Sequence, residues 1–258
     1  MRTLTPPHAK ASPSSRLKLY THTLCPYAQR VGLTLKEKRV PFDLIHIDLS
    51  NKPSFFTRRV PRGLVPAIEL PDGEILVESL DLCKWLDENY EGTSLIPKEG
   101  TPQRDACWKL VEEVSGRVVS SGLSAIAGAT GRSWGIGTNP SSKQIQTLQE
   151  SLDILEESIE AHAGPYLAGE AVSLADLVIY PFVERFDVAL PIATSEGTRV
   201  RDVNARVAQW MEFMAQRPSC AWASANRALL EKAYRKHMCL DFFDYTTYDQ
   251  WDLHPHNL

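Results

Sequence analysis

Apolar and polar residues alternate in two short segments near the start of the chain. Residues 17–21 (LKLYT) and 42–47 (FDLIHI) have the period of two that predicts half-buried β-strands. Between them, small and aliphatic residues recur at helical spacing from Ala28 to Leu35, which predicts a helix that ends near Lys38. A strand, a crossover helix and a second strand favour a parallel strand pair.

The pattern then changes to that of a hairpin. The segments AIEL (67–70) and EILV (74–77) flank Pro-Asp-Gly at 71–73, and this turn chemistry between two apolar runs predicts antiparallel strands. A short helical turn is expected to start at residues 51–53, and Ser79 is expected to cap a helix after the hairpin. The order β-α-β-α-β-β-α predicts a mixed four-stranded sheet with helices packed on it.

The strand signals stop beyond a segment of turn-forming residues. Residues 91–102 are rich in glycine, proline and polar side chains, and they form the predicted domain boundary. Ser173 and Asp176 have the spacing of a capping box, and Pro181 is expected to kink or interrupt the helix that follows. The second domain is predicted to be all-helical, with helices at 103–127, 141–163, 173–190, 199–216 and 220–238.

These segments divide the chain into five parts. They are an N-terminal extension that we expect to be disordered, a sheet-containing domain, a linker, the helical domain and a C-terminal tail. Their predicted bounds are 1–16, 17–91, 92–102, 103–240 and 241–258. The tail is acidic and aromatic, and the sequence predicts no element for it.

The composition is that of an ordinary globular protein and argues against several function classes. Hydrophobic residues make up 43% of the 258 residues and charged residues 23%, so disorder of the whole chain is not expected. The net charge is −4 and no strongly basic stretch occurs, so we expect no nucleic-acid partner. No apolar run approaches the ~20 residues that span a bilayer, so we expect no membrane span.

Cysteine usage and the N-terminal segment indicate the compartment. Five cysteines at irregular spacing favour a reducing compartment over a disulfide framework. The sequence contains no CxxC pair and no cysteine–histidine cluster at zinc spacing, so we expect no metal site. Residues 1–16 lack the apolar core of a secretory signal, and their composition is also similar to that of a transit peptide. The expected location is therefore cytoplasmic, with a plastid as the alternative.

Cys25 is the leading candidate for chemistry. Pro26 is the residue type favoured at the first helical position, so Cys25 is expected at the N-cap, where the helix terminus stabilises a thiolate. Arg30 is close in sequence and can add to this field, although the sequence does not set its direction. Free cysteines are more often inert core residues, but a position between a strand and a helix favours reactivity here.

The motif around this cysteine contains one thiol. Position 28 is Ala, so no second cysteine three residues later can resolve a mixed disulfide. An external thiol must therefore complete a disulfide cycle, and glutathione is the abundant choice in the cytosol. Cys83 and Cys107 fall beside apolar helical positions and are expected to be core or near-surface filler.

Two further segments suggest ligand binding. Glu78 and Ser79 lie at a strand–helix junction, where backbone N–H groups and the serine hydroxyl form an anion site and the carboxylate can hold an ammonium group. One amino-acid moiety would engage both, although an ordinary N-cap is the simpler interpretation of these two residues alone. A cis peptide at Val65-Pro66 would turn the Val65 backbone outward towards an extended ligand, and the sequence leaves the isomer open.

Five motifs in this order resemble those of the cysteine-type glutathione transferases of the lambda and omega classes. They are CPYAQR, NKPSFF, GLVPAIEL, ESLDL and SLADLVIYPFVERF, and the resemblance covers about residues 17–235. CPYAQR and ESLDL favour the lambda class, while NKPSFF and GLVP are also similar to the omega class. The resemblance implies an α+β/α architecture, the glutathione transferase fold, in which a thioredoxin-like domain with a mixed four-stranded sheet precedes an all-helical domain that carries the acceptor site.

The resemblance also implies roles for residues at the family's motif positions. Cys25 matches the catalytic cysteine that forms a mixed disulfide with glutathione. The residues that match glutathione-binding positions are Lys52 at the glycyl carboxylate, Val65 and Pro66 at the cysteinyl part, and Glu78 and Ser79 at the γ-glutamyl end.

The activity that the resemblance implies is glutathione-dependent thiol transfer, or deglutathionylation. Glutathione would be the co-substrate, and the acceptor would be a hydrophobic or glutathionylated small molecule, a glutathionylated protein, or dehydroascorbate. Two alternatives are a non-catalytic carrier of hydrophobic or phenolic ligands and a transferase that conjugates glutathione to electrophiles. The family contains both monomers and homodimers, so the sequence leaves the oligomeric state open.

Overall fold

The N-terminal half of the protein is built on one mixed sheet. The computed structural model describes residues 16–49, 51–127, 140–162, 164–194, 197, 199–224 and 227–237. The predicted extension at 1–16, apart from Arg16, and the predicted tail at 241–258 lie outside these residues. The strands are β1 (Leu17–Thr21), β2 (Phe42–His46), β3 (Ala67–Glu69) and β4 (Ile75–Val77).

The strand order is β2-β1-β3-β4, and the mixed four-stranded sheet predicted from the sequence is confirmed. β1 pairs in parallel with β2, with Leu19 opposite Leu44. The same strand pairs antiparallel with β3, which in turn pairs antiparallel with β4. Because β1 lies in the centre of the sheet, the loop after it, which carries Cys25, emerges beside the loop that precedes β3.

Three helices accompany the sheet: α1 (Pro26–Glu37), α2 (Ser54–Arg59) and α3 (Ser79–Asn89). Pro26 occupies the first turn of α1, and the helix ends before Arg39, which has a φ of 56°. The expected cap of α3 is one residue off. Glu78 is the N-cap and Ser79 is the first helical residue, because Glu78 has a non-helical backbone conformation with a φ of 74°.

The rest of the described chain is helical, apart from an isolated bridge in the loop before α7. Helix α4 continues through a π-helical turn, Leu110–Val114, into α5 without a break. The predicted helix at 199–216 is instead broken at Asn204, whose side chain accepts a hydrogen bond from Val207 N–H (3.0 Å) and so starts a new helix. The helices are α4 (Pro102–Lys109), α5 (Ser115–Ala127), α6 (Ser142–Ala161), α7 (Leu174–Ala193), α8 (Val200–Val203), α9 (Ala205–Ala215), α10 (Pro218–Ala223) and α11 (Arg227–His237).

Helix α7 forms the core of the helical half. Pro181 was expected to kink or interrupt this helix, and it does not interrupt it, because α7 runs continuously from Leu174 to Ala193. Nearly every residue of α7 is buried, and this packing outweighs the lost backbone hydrogen bond of a proline in a helix. The carbonyl of Pro181 still accepts a hydrogen bond, from Arg185 Nη1 at 2.8 Å.

The two halves meet where α1 packs against α7 and α10. Arg217, which precedes α10, donates from Nε and Nη2 to the two carboxylate oxygens of Glu37 at the C-terminal end of α1, both at 2.7 Å. At the other end of the interface, Arg30 Nε donates to the carbonyl of Val178 in α7 at 2.7 Å. The contact of Arg30 places the N-terminal half of α1 against the N-terminal half of α7. No described helix is both long and apolar enough to cross a membrane.

Candidate active site

One cavity of about 340 Å³ brings together every residue that the sequence analysis assigned to a site. Those residues come from four separate segments of the first 79 residues, and they are Cys25, Lys52, Val65, Pro66, Glu78 and Ser79. A larger cavity of about 490 Å³ lies along α6 and α9, but none of these six residues lines it. The smaller cavity is therefore the candidate active site.

Cys25 is the N-cap of α1, as the sequence predicted, and Pro26 is the first helical residue. The residue is only 6% exposed, but its side chain lines the cavity and is therefore within reach of a bound ligand. Its Sγ lies 3.8 Å from the carbonyl oxygen of Val65, on the opposite loop. A helix N-terminus stabilises a negative charge, so this position favours the thiolate form of Cys25.

Two side chains hold the peptide that precedes Cys25. His22 Nδ1 accepts a hydrogen bond from Leu24 N–H at 3.1 Å. From the helical half, Arg185 Nε donates to the Leu24 carbonyl at 3.1 Å, and its Nη1 also contacts the Gln29 side chain. No sequence motif indicated a role for His22 or Arg185. Arg185 lies within the motif SLADLVIYPFVERF, but the motif does not show its contact with Leu24, because the two residues are 161 positions apart.

The loop before β3 forms the opposite wall. The Val65–Pro66 peptide, whose isomer the sequence left open, is cis. Gly63 adopts a φ of 59°, and a Cβ at this position would come within 3.2 Å of Lys52 Cδ, so the Lys52 side chain lies directly over the loop. Leu64 is 51% exposed, which gives the cavity an apolar edge.

The start of α3 closes the third side of the cavity. Glu78 has a left-handed φ of 74°, which is strained for a residue with a Cβ. Its carboxylate accepts a hydrogen bond from Arg62 Nη1 at 2.7 Å, and both side chains are exposed. No sequence pattern indicated a role for Arg62. Ser79 is buried, and its hydroxyl oxygen accepts a hydrogen bond from Arg30 Nη1 at 3.3 Å.

A buried histidine, His22, lies in the loop before Cys25. Burial lowers the pKa of His22 well below its ordinary value, and the nearby His46 and Arg185 lower it further. The unfolded chain therefore binds a proton below about pH 6.5 that the folded protein excludes, so stability is present above that pH and is lost as the pH falls. We expect the melting temperature of the protein to fall between pH 7 and pH 5.

A non-titrating replacement isolates this contribution. His22→Asn keeps an acceptor for Leu24 N–H, so we expect its melting temperature to change less over the same pH range. The difference corresponds to a free energy of unfolding that falls by about 1.4 kcal/mol less per pH unit than in wild type. Thermal unfolding of both proteins from pH 5 to pH 8 measures the difference. Parallel profiles would contradict the assignment to His22.

Comparison with known proteins identifies the family. Residues 19–94 match the family described as glutathione S-transferase, N-terminal domain, and residues 102–213 match glutathione S-transferase, C-terminal domain. The chain is 30% identical over 207 residues to glutathione S-transferase omega-1 of Sus scrofa, covering 80% of each protein. It is 33% identical over 177 residues to glutathione S-transferase L1 of Arabidopsis thaliana, covering 67% of this chain and 68% of that protein.

The fold agrees with this relationship. The structure of glutathione transferase Omega 1C from Trametes versicolor superposes with a TM-score of 0.71 at 24% identity, over 88% of this chain and 98% of that one. The chain thus belongs to the glutathione S-transferase family, as a cysteine-type enzyme related to the omega class.

Proposed function

We propose that this glutathione transferase is a thiol transferase, in which Cys25 takes the glutathionyl group from a mixed disulfide and passes it to a second glutathione. The observation that carries the proposal is the position of the Cys25 thiol at the N-terminus of α1, on the same cavity as the residues matched to glutathione binding. The co-substrate is glutathione, and the chemistry needs no metal.

The cavity walls suggest how glutathione is held. In this proposal the backbone of Val65 pairs with the cysteinyl part, which brings the glutathione sulfur towards Cys25 Sγ, 3.8 Å from the Val65 carbonyl. Ser79 and the backbone N–H groups at the start of α3 bind the γ-glutamyl carboxylate, and Glu78 binds its ammonium group. Lys52, which lies over the loop before β3, meets the glycyl carboxylate.

The reaction proceeds by two thiol–disulfide exchanges. The Cys25 thiolate attacks the glutathionyl sulfur of the substrate, the substrate S–S bond breaks, and the acceptor leaves as a thiolate that takes a proton from water. A second glutathione thiolate then attacks the glutathionyl sulfur on Cys25, which releases oxidised glutathione and regenerates the Cys25 thiolate. Over the two exchanges one free glutathione is oxidised and the acceptor sulfur is reduced from disulfide to thiol, while the glutathionyl group of the substrate stays in a disulfide and leaves as half of oxidised glutathione. The helix terminus stabilises Cys25 both as nucleophile and as leaving group.

The other cysteines favour an external thiol for the second step. Cys83, Cys107 and Cys220 are free and fully buried, and none of them lines the cavity. Burial raises the pKa of Cys83 to about 11, so this thiol stays protonated at neutral pH. None of the other described cysteines can therefore resolve the mixed disulfide on Cys25, and in this proposal a second glutathione does so. Free thiols also suit a reducing compartment, and we propose the cytosol.

The open edge of the cavity, on the sheet-containing domain, suits apolar groups of an acceptor. Leu64 and Val77 both line the cavity, with 51% and 42% of their surface exposed. Such an edge favours a glutathione adduct of a hydrophobic compound, and its openness also admits a glutathionylated protein or dehydroascorbate. It is equally compatible with a carrier of hydrophobic ligands, and the reactivity of Cys25 separates the two functions.

Intact mass spectrometry tests the proposal. After incubation with oxidised glutathione, we expect the wild-type protein to gain the mass of one glutathionyl group and Cys25→Ser to gain none. Cys83→Ser is the matched control, because it removes a buried thiol outside the cavity and should still gain the adduct. Absence of an adduct on wild type, or its presence on Cys25→Ser, would overturn the proposal.

A further inference from the structure

Arg30 is a buried cation at the junction of the cavity and the domain interface. It lies in α1, five residues after Cys25, and only 4% of its surface is exposed. Its Nε donates to the Val178 carbonyl of α7 at 2.7 Å, and its Nη1 donates to Ser79 Oγ at 3.3 Å. Its guanidinium carbon lies 4.5 Å from the centroid of the Phe182 ring and 5.4 Å from that of Tyr27.

None of these partners carries a negative charge. Within the described residues, no carboxylate comes within salt-bridge distance of Arg30, whereas Arg185 reaches Glu184 and Arg217 reaches Glu37. A buried cation without an anion is costly, because it gives up its hydration and receives no opposite charge in return. Burial accordingly lowers the pKa of Arg30 to about 10. An anion that forms near Arg30 during function would offset this cost.

The surrounding groups identify that anion. Arg30 follows Cys25 by five residues on α1, about 7.5 Å along the helix axis, and its neighbours Tyr27 and Ser79 line the same cavity as Cys25. Cys83, Tyr27 and Cys25 also act electrostatically on Arg30. Cys83 is fully buried and stays a neutral thiol at pH 7, and Tyr27 presents its ring face. From α7, Arg30 meets only a carbonyl and an aromatic ring, while the charged groups of the cavity wall are Lys52, Arg62 and Glu78. Cys25 is the group that can ionise in function.

The contact with Ser79 adds a second role. Because Arg30 Nη1 donates to Ser79 Oγ, the serine hydroxyl hydrogen is available to donate elsewhere, and Ser79 lines the cavity. A ligand carboxylate at the start of α3 would receive this hydrogen bond. Arg30 thus connects the two places where negative charge is expected, the Cys25 sulfur and the carboxylate beside Ser79.

We propose that Arg30 is a positioning residue whose buried charge stabilises the Cys25 thiolate and whose Nη1 group orients the Ser79 hydroxyl towards the ligand carboxylate. This inference rests on the proposed function. The effect of the Arg30 charge on the Cys25 thiolate is a property of the protein without ligand, so it can be measured without turnover.

The test is the pH dependence of Cys25 alkylation in the full chain. Iodoacetamide reacts with the thiolate, and peptide-resolved mass spectrometry reports the rate at Cys25 alone. In the neutral variants Arg30→Met and Arg30→Gln, we expect the half-maximal rate about one pH unit above that of wild type, and so a rate about tenfold lower on the acidic side. Arg30→Lys keeps the charge and should retain the wild-type pH profile, while glutathione binds more weakly because the contact with Ser79 is lost.

A matched variant controls for loss of packing. Arg217→Met also removes a cation at the interface of α1, but at the C-terminal end of this helix, about 18 Å from Cys25 along the axis. We expect it to lower the melting temperature and leave the alkylation profile of Cys25 unchanged. Arg30→Gln keeps a polar side chain at the position, so it decides the question if Arg30→Met does not fold.

Three results would overturn the role of Arg30. The first is a wild-type alkylation profile of Cys25 in a folded Arg30→Met or Arg30→Gln variant. The second is a profile in Arg30→Lys that is shifted as far as that of Arg30→Gln. The third is a shift in Arg217→Met as large as that in Arg30→Gln. A protein that shows the expected profiles but never acquires glutathione would instead overturn the proposed function and leave the electrostatic role of Arg30 intact.

Discussion

Replacement of Cys25 by serine is expected to lower the rate of glutathionyl transfer at least about 10³-fold. A serine hydroxyl is not ionised at neutral pH, even at the N-terminus of α1, and it cannot accept a glutathionyl group in a disulfide. The measurement is steady-state turnover of the mixed disulfide of glutathione and 2-mercaptoethanol, with reduced glutathione as the second substrate. Cys83→Ser should retain the wild-type rate.

The same variant separates thiol transfer from conjugation. In a conjugating enzyme the protein activates bound glutathione, so conjugation to an electrophile such as 1-chloro-2,4-dinitrobenzene should persist or appear in Cys25→Ser. Wild type should be the better thiol transferase and the variant the better conjugating enzyme. Equal rates of thiol transfer by wild type and Cys25→Ser would contradict the role of Cys25. Tight binding of a phenolic compound by a protein with neither activity would favour the alternative function, a carrier of hydrophobic ligands.

Asp176→Ala is expected to lower the free energy of unfolding by about 3–5 kcal/mol. Asp176 is fully buried at the start of α7, and its carboxylate accepts hydrogen bonds from Leu167 N–H (2.9 Å), Ser173 N–H (2.8 Å) and Trp210 Nε1 (2.8 Å). Burial raises the pKa of Asp176, and these donors offset part of that effect. Alanine would leave several buried donors without an acceptor, each at a cost of about 1–3 kcal/mol.

Urea denaturation followed by tryptophan fluorescence measures this loss. Asp202→Ala is the control, because Asp202 occupies the same third helical position in α8 and accepts a hydrogen bond from Arg199 N–H, but at an exposed site. We expect a much smaller loss there, since water replaces the missing acceptor. Equal losses in the two variants would show that burial of the donors does not set the cost.

The elements of the fold follow closely from local patterns, and the exceptions have local causes. The strands were predictable because apolar and polar residues alternate along them, and α1 was predictable because Pro26 marks its first turn. The predicted helix over 199–216 is broken by a single polar side chain, Asn204, which a count of apolar positions does not weigh. Pro181 does not interrupt α7, because this helix is buried on almost every side and its packing outweighs the local effect of a proline.

The candidate site divides in the same way. Cys25, Val65 and Glu78 were found from short motifs, because each lies where a strand or helix begins or ends. Arg62 was missed since its partner is a carboxylate 16 residues away, across the cavity. Arg30 was visible in the sequence, but only the fold shows that it is buried against α7 and lacks a carboxylate partner within the described residues.

The hydrogen bond from Arg185 to the Leu24 carbonyl has a consequence for engineering. One of the two side chains that fix the peptide before the reactive thiol comes from the second half of the chain. A chimera that joins residues 1–101 to the helical half of another family member would keep every motif of the cavity, but it would keep this support only if that half has an arginine at the position of Arg185. Exchange of acceptor specificity by domain shuffling should therefore use helical halves that have this arginine or introduce it.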